Sequence, residues 1–527
     1  MPPALLDGAL RHPLALHARH ALCALAAPAT LAALLLCASV AWAATSPTAA
    51  APAAGPSAGT RAAQPATPAT PPSASTATER HSDALPPAVA SALRAAALPP
   101  EALALWLAPV QPQAAPLLAQ RATEPVNPAS LLKLVTSFAA LDLLGPGHVW
   151  RTEVLSSGAV QAGVLHGNLY LRGGADPALV SERLWLLLRR VQALGIERIG
   201  GDIVLDRSAL GEPEIDPGAF NDDPLRAYNA GPDALLINFR AQVFTFTPDA
   251  AAGVARVSLE PPLAGVQFAP TVPLSAQPCA DWRAGLRADF RVALEPRWSG
   301  SYPADCGVRH WPLAHPEPRR MSERAVLGMW QSLGGRIDGR VREGSVSAGA
   351  VPRLVFESPP LAEVVRDANK FSNNVMAQHL LLALSPAGAP ARFEPARARV
   401  QQWWRERVGA DVPAPTLGNG SGLSRDGRAS AQALGRLLQQ AYASHSMAEL
   451  MVSLPVSGLD GTLRRSRMGA GLAHLKTGSL RDVQAIAGYV HRRNGQRLVL
   501  VAIVNHPNAH AARPALDALV QWAAAQP

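Results

Sequence analysis

Residues 127–133 read Asn127-Pro128-Ala129-Ser130-Leu131-Leu132-Lys133, which places a hydroxyl and an amine three residues apart. Side chains three apart lie on the same face of a helix. Apolar residues keep helical spacing from Leu131 to Leu143, and Gly145 follows. We therefore predict a helix with Pro128 at its first position and Ser130 in its first turn. Free backbone N–H groups in that turn favour a developing negative charge, and Lys133 is placed to take the serine proton.

Lysine is rare in this chain, since only Lys133, Lys370 and Lys476 occur among 48 lysine and arginine residues. A guanidinium stays protonated in proteins, whereas a lysine amine loses its proton when it is desolvated. The three positions that keep lysine are therefore candidates for sites that need an amine. Codon bias with three accidental survivors is the alternative interpretation.

Length and charge limit the class of protein. A chain of 527 residues with 48% hydrophobic residues is long enough for two or three domains. The net charge of +9 is spread along the chain, which is typical of a solvated surface and not of a nucleic-acid-binding patch. We expect no nucleic-acid partner.

The N-terminus has the features of an export signal. Arginines precede an apolar run over residues 21–40, and Ala41-Trp42-Ala43 fits a cleavage site. We predict a signal peptide over residues 1–43 and a periplasmic location. The run is also long enough for an uncleaved anchor, which leaves peripheral membrane association open. Residues 44–85, rich in Ala, Pro, Ser and Thr, are predicted to form a disordered linker.

Two of the four cysteines lie in the predicted signal, so Cys279 and Cys306 remain after export. An oxidising compartment favours a disulfide between them, closing a loop of fewer than 30 residues. Two free thiols are the alternative.

The pattern of helices and strands changes twice along the chain. Between residues 151 and 345, short strand-like runs such as Leu235–Phe239 alternate with Gly and Pro, and one helix is predicted near 181–194. Helical spacing returns after residue 358, and the chain ends in a hairpin around Asn494-Gly495 and a last helix. We predict an α+β fold in which a domain of residues 86–150 and 346–527 is split by a mostly β insertion, 151–345.

Two further motifs carry polar side chains. Ser372-Asn373-Asn374 falls at a break between two helical stretches, where it suits a plain helix cap as well as a polar site. Lys476-Thr477-Gly478-Ser479 lies near the end of a predicted strand. A lysine and two hydroxyls suit a carboxylate, and the glycine lets a substrate pair with the strand edge. An exposed lysine that protects a sheet edge is the alternative.

In this order the three motifs resemble the signature of the penicillin-recognising serine enzymes, which includes Ser-x-x-Lys and Lys-Thr-Gly. Ser130 and Ser372 are 242 positions apart, whereas Ser372 and Lys476 are 104 apart. The long first interval resembles that of the class C low-molecular-mass penicillin-binding proteins, the D-alanyl-D-alanine carboxypeptidase/endopeptidase (DacB-like) family. The resemblance covers about residues 85–505 and includes the stretches Asn127–Lys133, Tyr228-Asn229-Ala230, Asn238-Phe239, Gly420–Asp426 and Leu454–Leu463.

The resemblance implies a penicillin-binding, β-lactamase-like fold, an antiparallel sheet with helices that is split by inserted domains. Ser130 would attack the carbonyl between two D-alanines to form an acyl-enzyme. Lys133 would be its general base, with its pKa held down by the nearby cation Lys476. Ser372 would relay a proton to the leaving amine, and Asn374 would hold the acyl side chain.

The remaining implied roles concern binding. Lys476, Thr477 and Ser479 would bind the terminal carboxylate, with Gly478 allowing the substrate to approach, and the backbone N–H groups of Ser130 and Ser479 would form the oxyanion hole. The substrates would be peptidoglycan stem peptides, cleaved by carboxypeptidase and DD-endopeptidase activity. β-Lactams would be covalent inhibitors. Neither a metal nor an organic cofactor is implied.

The resemblance also places two polar residues, Asp206 and Arg425, where the stem-peptide side chain would be recognised. Arg481 stands where the family's pattern leads us to expect an amide, which affects fine substrate preference. Lys370 fits the pattern just before the second motif and is expected to support the cleft. A β-lactamase or esterase on the same fold and a non-catalytic peptidoglycan-binding protein are the alternative functions.

Overall fold

The structure is a computed structural model that describes residues 84–526. The predicted signal peptide and nearly all of the predicted linker lie outside the described residues. In the part of the chain from 84 to 526, no helix is both long and apolar enough to cross a membrane.

The described chain contains the following helices and strands, numbered separately in chain order. The helices are α1 (Pro87–Ala95), α2 (Leu132–Leu144), α3 (Ser181–Ala193), α4 (Trp282–Gly285), α5 (Pro318–Ser332), α6 (Leu361–Lys370), α7 (Asn374–Leu382), α8 (Phe393–Arg407), α9 (Ala431–Tyr442), α10 (Met447–Ser453) and α11 (Arg513–Ala525). The strands are β1 (Leu103–Pro109), β2 (Leu118–Gln120), β3 (Arg151–Ser156), β4 (Val160–Gln161), β5 (Val164–Leu165), β6 (Leu169–Arg172), β7 (Arg198–Ile199), β8 (Ile203–Asp206), β9 (Ala241–Asp249), β10 (Val254–Glu260), β11 (Thr271–Ser275), β12 (Leu286–Asp289), β13 (Arg297–Gly300), β14 (Tyr302–Pro303), β15 (Arg309–Ala314), β16 (Arg336–Ile337), β17 (Val341–Glu343), β18 (Val351–Glu357), β19 (Ala473–Leu480), β20 (Val483–His491) and β21 (Arg497–Asn505).

One antiparallel sheet joins the two ends of the described chain, with strand order β19-β20-β21-β1-β2. The predicted hairpin is confirmed: β20 and β21 pair from Val483↔Asn505 to His491↔Arg497. Gly495 in its turn has φ +84°, a conformation that glycine adopts without strain. Pairing of β1 with β21 places the Ser130 segment beside the C-terminal strands, which brings the first and third motifs to the same side of the molecule's central sheet.

Two hydrophobic cores cover the two faces of this sheet. Side chains alternate along β21, because successive residues of a strand point to opposite faces. Val499, Val501 and Ile503 face a core with α2, α6, α7, α8 and α9. Leu498, Leu500, Ala502 and Val504 face a second core with α1 and α11. Residues Leu132 to Leu141 of α2 are all buried, so the serine helix is a central helix enclosed on every side.

Between β3 and β18 the chain forms further sheets that hold their own cores. One has strand order β17-β8-β6-β3-β18 and packs against α3 and α5 through Leu184, Leu188, Ala325 and Trp330. Another has strand order β14-β11-β10-β9-β15 and encloses aromatic side chains. The α+β class is therefore confirmed. Helix α5 was not predicted, although its buried residues Met321, Ala325, Met329 and Trp330 have helical spacing.

The predicted strand over Leu235–Phe239 is wrong. The structure has a 3₁₀ turn over Ile237–Arg240, in which Asn238 and Phe239 have φ values of +47° and +58°. The side-chain amide of Asn238 donates to the Ala241 carbonyl at 2.8 Å. This local hydrogen bond replaces the ladder bonds of a strand, as short polar side chains do in turns.

Cys279 and Cys306 form the predicted disulfide, with their Cα atoms 4.8 Å apart. It closes a loop of 27 positions around α4 and the β12–β13 hairpin. Constraint of the unfolded chain is the main way in which such a bond stabilises a domain.

Candidate active site

Ser130 lies in a 3₁₀ turn, Ala129–Leu131, that directly precedes α2. The predicted α-helical first turn is therefore corrected to a tighter one, and Pro128 stands before the turn. Ala129 has φ +48° and donates its N–H to the side-chain oxygen of Asn127 at 2.9 Å. This hydrogen bond stabilises a backbone conformation that alanine rarely adopts. Ser130 is consequently fixed at the entrance of the helix.

Asn505, at the end of β21, ties this turn to the sheet. Its side-chain oxygen accepts from the Asn127 N–H and its side-chain nitrogen donates to the Asn127 carbonyl, each at 2.9 Å. These two hydrogen bonds join the Asn127 backbone to the end of β21, as a pair of backbone hydrogen bonds joins neighbouring strands. Sequence reasoning missed this residue, because nothing in the local pattern around 505 links it to residue 127.

Lys133 is fully buried and contacts three oxygen atoms. Its Nζ lies 3.1 Å from Ser130 Oγ and 2.6 Å from both Asn374 Oδ1 and the Ser421 carbonyl oxygen. Amide and carbonyl oxygens only accept hydrogen bonds, whereas a serine hydroxyl can also donate. A neutral amine would give its two hydrogens to Asn374 and Ser421. Its lone pair would then face the Ser130 hydroxyl.

The pKa of Lys133 lies well below its ordinary value, first because of burial and second because of the cation Lys476. The expected influence of Lys476 is therefore present, but burial is the larger cause. Burial lowers the pKa of Lys476 itself to about 7. Both lysines are fully buried, which disfavours the charged form of each, and the charge of Lys476 adds to this effect at Lys133.

The second motif divides its three side chains between two roles. Asn373 caps α7, because its side-chain oxygen accepts from the Met376 N–H at 3.1 Å. The plain-cap interpretation is thus correct for this middle residue. Ser372 has φ +55° and its Oγ accepts from Lys476 Nζ at 2.9 Å. Asn374 accepts from Lys133 and donates to the Tyr228 carbonyl at 3.0 Å.

The third motif lies on β19, an edge strand of the sheet. The Leu475 N–H donates to Pro455, and the Ala473 carbonyl accepts from Ser457, each at 2.9 Å. Backbone groups alternate in direction along a strand, so Thr477 and Ser479 also direct theirs to the outer edge. Segment 455–457 bonds to this edge as far as Leu475, and beyond it Lys476 Nζ donates to the Thr477 carbonyl and Thr462 contacts the Thr477 side chain, each at 2.8 Å.

Gly478 allows β19 to approach the serine turn. A Cβ atom at this position would lie 2.7 Å from the Pro128 carbonyl oxygen and 3.3 Å from the Ala129 Cβ. Any side chain would therefore push the strand away from Ser130. The glycine of the motif brings Ser479 close to the nucleophile.

The Gly-rich loop 420–426 packs against the other side of the serine turn. A Cβ on Gly422, which has φ +79°, would lie 2.0 Å from the Ala129 carbonyl oxygen. Thr136 of α2 donates to the Gly420 carbonyl at 2.9 Å, and Ser421 supplies the carbonyl that holds Lys133. Sequence reasoning missed the contact of Ser421 with Lys133.

We predict that Gly422→Ala lowers the rate of Ser130 acylation about 100-fold, because displacement of a reacting group by about 1 Å has effects of this size. Gly495→Ala is the matched control: Gly495 also has a positive φ, but a Cβ there meets no atom within 4 Å. Acylation rates and thermal melting of both variants check the prediction. Equal rates in the two variants would contradict it.

Asp206 and Arg425 occupy different surroundings from those expected. Both carboxylate oxygens of Asp206 accept backbone N–H groups, those of Ser208 and Val346, each at 2.9 Å. Burial would raise its pKa, but hydrogen bonds from the Ser208 side chain and from the Val346 and Ser208 backbone, together with the charge of Arg172, outweigh burial and lower it. These contacts give no support to a substrate role for Asp206, which stays a prediction.

Arg425 donates to the Phe220 carbonyl at 3.2 Å, and its guanidinium lies 5.2 Å from the centre of the Phe220 ring. The carbonyls of Ser424 and Arg425 accept from Asn127. Arg425 thus lies between the serine loop and the segment around Phe220. Together with the Tyr228–Asn374 contact, this shows that the segment between β8 and β9 reaches the site through residues 220–228.

A serine faced by a buried lysine, where a central helix meets the edge strand of an antiparallel sheet, is the arrangement of the penicillin-recognising serine hydrolases. Among residues 84–526, no group of three or more His, Cys, Asp and Glu side chains could hold a metal ion. The chain belongs to the D-Ala-D-Ala carboxypeptidase 3 (S13) family, whose sequence profile matches residues 85–526. The chain is therefore a member of a family of serine-type peptidases, and the resemblance drawn from the three motifs is confirmed.

Individual relatives agree with this family. The chain is 28% identical over 405 residues to the D-alanyl-D-alanine carboxypeptidase of Actinomadura sp. (strain R39), covering 73% of this chain and 74% of that protein. It is 25% identical over 395 residues to the D-alanyl-D-alanine carboxypeptidase DacB of Haemophilus influenzae, covering 72% and 80%. The crystal structure of penicillin binding protein 4 (dacB) from Haemophilus influenzae superposes with a TM-score of 0.65 at 22% identity, covering 82% of this chain and 99% of that chain.

Proposed function

We propose that this protein removes the terminal D-alanine from peptidoglycan stem peptides through an acyl-enzyme on Ser130. The observation that carries this mechanism is the surroundings of Lys133. The Asn374 side-chain oxygen and the Ser421 carbonyl oxygen accept hydrogen bonds from Lys133 Nζ, and the Ser130 hydroxyl is the third group in contact with this nitrogen. A neutral amine so placed is a general base for the adjacent hydroxyl.

In the first half of the reaction, Ser130 Oγ attacks the carbonyl carbon of the penultimate D-alanine and its proton passes to Lys133. The N–H groups of Ser130 and Ser479 stabilise the negative oxygen that forms. The C–N bond then breaks, and the leaving amine receives a proton through the Ser372 hydroxyl from the buried lysine pair. In the second half, water attacks the ester, its proton passes to Lys133, and the Ser130 oxygen leaves and is protonated again.

The leaving D-alanine carries a carboxylate next to its amine. Lys476, Thr477 and Ser479 are neighbours on β19, and their charge and hydrogen-bond donors suit this group. Asn374, which contacts both Lys133 and the Tyr228 carbonyl, lies on the acyl side. Asp206 and Arg425 remain the candidates for contact with the stem-peptide side chain.

The same site suits cross-links, so DD-endopeptidase activity belongs to the proposal. In a D-Ala–diaminopimelate cross-link the leaving amine also stands on a D-centre with an adjacent carboxylate, so the reacting groups are unchanged. β-Lactams present a reactive amide and a carboxylate in a similar relation. The crystal structure of the Haemophilus influenzae protein complexed with a β-lactam, at a TM-score of 0.61, supports binding of these inhibitors.

The proposed cellular location follows from the peptidoglycan substrate of the family and from the N-terminal sequence. Members of a peptidoglycan-processing family act outside the cytoplasm, and the N-terminal sequence has the features of an export signal. We propose a periplasmic enzyme that is exported by residues 1–43, with peripheral membrane association if that segment is retained.

Digestion of defined muropeptides tests this function. Monomeric pentapeptides should release one D-alanine, and cross-linked dimers should be converted to monomers. Nitrocefin turnover should be slow, with an acyl-enzyme that persists. Rapid nitrocefin turnover without muropeptide cleavage would favour a β-lactamase instead, and binding to peptidoglycan without any cleavage would favour a non-catalytic protein.

A bell-shaped pH profile of kcat/KM is expected for substrates with a terminal carboxylate. The value of kcat/KM should rise with pH as Lys133 becomes neutral, and it should fall as Lys476 loses its proton near its pKa of about 7. A bound carboxylate favours protonated Lys476 and raises its pKa, so the alkaline limb of kcat should lie at higher pH than that of kcat/KM. Profiles measured for the parent and for Lys476→Arg check this.

The guanidinium of Lys476→Arg stays charged, so the alkaline limb should disappear in any activity that this variant retains. A substrate whose terminal carboxylate is blocked as an ester should also lack the alkaline limb of the pH profile when the parent enzyme is measured. This measurement does not depend on the folding of a variant. An unchanged alkaline limb with the ester would contradict the assignment to Lys476.

A further inference from the structure

The third lysine, Lys370, lies outside the catalytic contacts and holds the segment 454–463. Its side chain is 10% exposed, and its Nζ donates to the Leu454 carbonyl at 2.7 Å and to the Asp460 carboxylate at 2.5 Å. The other oxygen of Asp460 accepts from the Val456 N–H at 2.7 Å. One ammonium group therefore fixes both ends of a loop that lies against β19.

This loop carries Thr462 to the carboxylate-binding motif. Thr462 is exposed, and its Oγ1 lies 2.8 Å from Thr477 Oγ1. Gly461 on one side has φ +51°, and a Cβ there would lie 2.6 Å from the Lys370 carbonyl oxygen. Leu463 on the other side is buried in the core under α1 and α11. Thr462 is thus held from both sides at the mouth of the cleft.

Two hydroxyls in contact share one hydrogen, because one donates and the other accepts. When Thr462 donates to Thr477, the proton of Thr477 is left free to point at the carboxylate. When Thr477 donates to Thr462, that proton is lost to the substrate. The position of Thr462 therefore determines how well Thr477 serves as a donor.

We propose that Thr462 is a positioning residue that orients the Thr477 hydroxyl toward the substrate carboxylate, and that the Lys370–Asp460 pair holds it there. This inference rests on the proposed function, since it assigns a further residue to the same carboxylate site. It also gives the third lysine a role, because an amine with three donors can span a carbonyl and a carboxylate at once.

The test compares acylation by benzylpenicillin with acylation by its methyl ester, which lacks the carboxylate. Thr462→Val should lower the second-order rate constant with benzylpenicillin about five- to tenfold, the effect of one hydrogen bond. The rate with the ester should change less than twofold. Thr462→Ser keeps the hydroxyl and should restore the parent ratio of the two rates. Lys370→Met should show the same loss confined to the carboxylate-bearing probe.

In a Thr477→Val background, Thr462→Val should cause no further loss, because the hydroxyl through which it acts is gone. Equal losses with both probes, no loss with either, or additive losses in the double variant would overturn the inference. Failure of the parent protein to be acylated by either probe would overturn the proposed function and this inference with it. Valine at the exposed position 462 replaces only a hydroxyl by a methyl group, so the variant should remain folded.

Discussion

Replacement of Ser130 by alanine is expected to abolish covalent labelling by benzylpenicillin and to lower D-alanine release about 10⁴-fold or more. The Ser130 hydroxyl is the one group in contact with Lys133 Nζ, among those that the structure describes, that can donate a proton to it. Lys133 keeps its two acceptors, Asn374 and Ser421, in this variant. The local structure should therefore remain, and thermal melting should be close to that of the parent.

The mass of the intact protein after incubation with benzylpenicillin measures covalent labelling directly. One adduct is expected on the parent and none on Ser130→Ala. Ser372→Ala is the matched control, because it removes a serine hydroxyl that contacts Lys476 and leaves Ser130 in place. It should still form the adduct, but more slowly. An adduct on Ser130→Ala would remove Ser130 from the role of nucleophile.

Lys133→Arg should lower the acylation rate by about 10²- to 10⁴-fold, the usual contribution of a general base. Arginine keeps the positive charge but does not lose its proton, so it cannot accept the proton of Ser130. Its larger head group must also fit into a fully buried site. A stopped-flow measurement of acylation at neutral pH, combined with thermal melting, separates loss of the base from loss of the fold.

Lys133→Met provides the comparison in which neither charge nor base remains but the shape is similar. The two variants should lose activity to a similar extent, since the role of Lys133 depends on its lone pair and not on its charge. Near-parent acylation by Lys133→Arg would show that charge alone suffices. The general-base assignment would then be wrong.

Local sequence patterns predicted much of the described chain correctly. The serine helix, the β20–β21 hairpin, the last helix and the disulfide all have short-range signals: apolar spacing, an Asn-Gly turn, and two cysteines outside the predicted export signal. Rare lysines and the order of three motifs identified the family. The errors fall where local hydrogen bonds compete with strand pairing, as at Asn238, and where a tight turn replaces the start of a helix, as at Ser130.

Local patterns thus identified the reactive groups and the elements that carry them: a hydroxyl and an amine at the start of one helix, a Ser-x-Asn turn, and a lysine on an edge strand. What these groups can do depends on how distant segments pack around them. The acceptors of Lys133 come from residues 241 and 288 positions away, and its low pKa results mainly from burial. Desolvation and the direction of a lone pair depend on every segment packed around an atom, and a local pattern of residues does not specify which distant segments those will be.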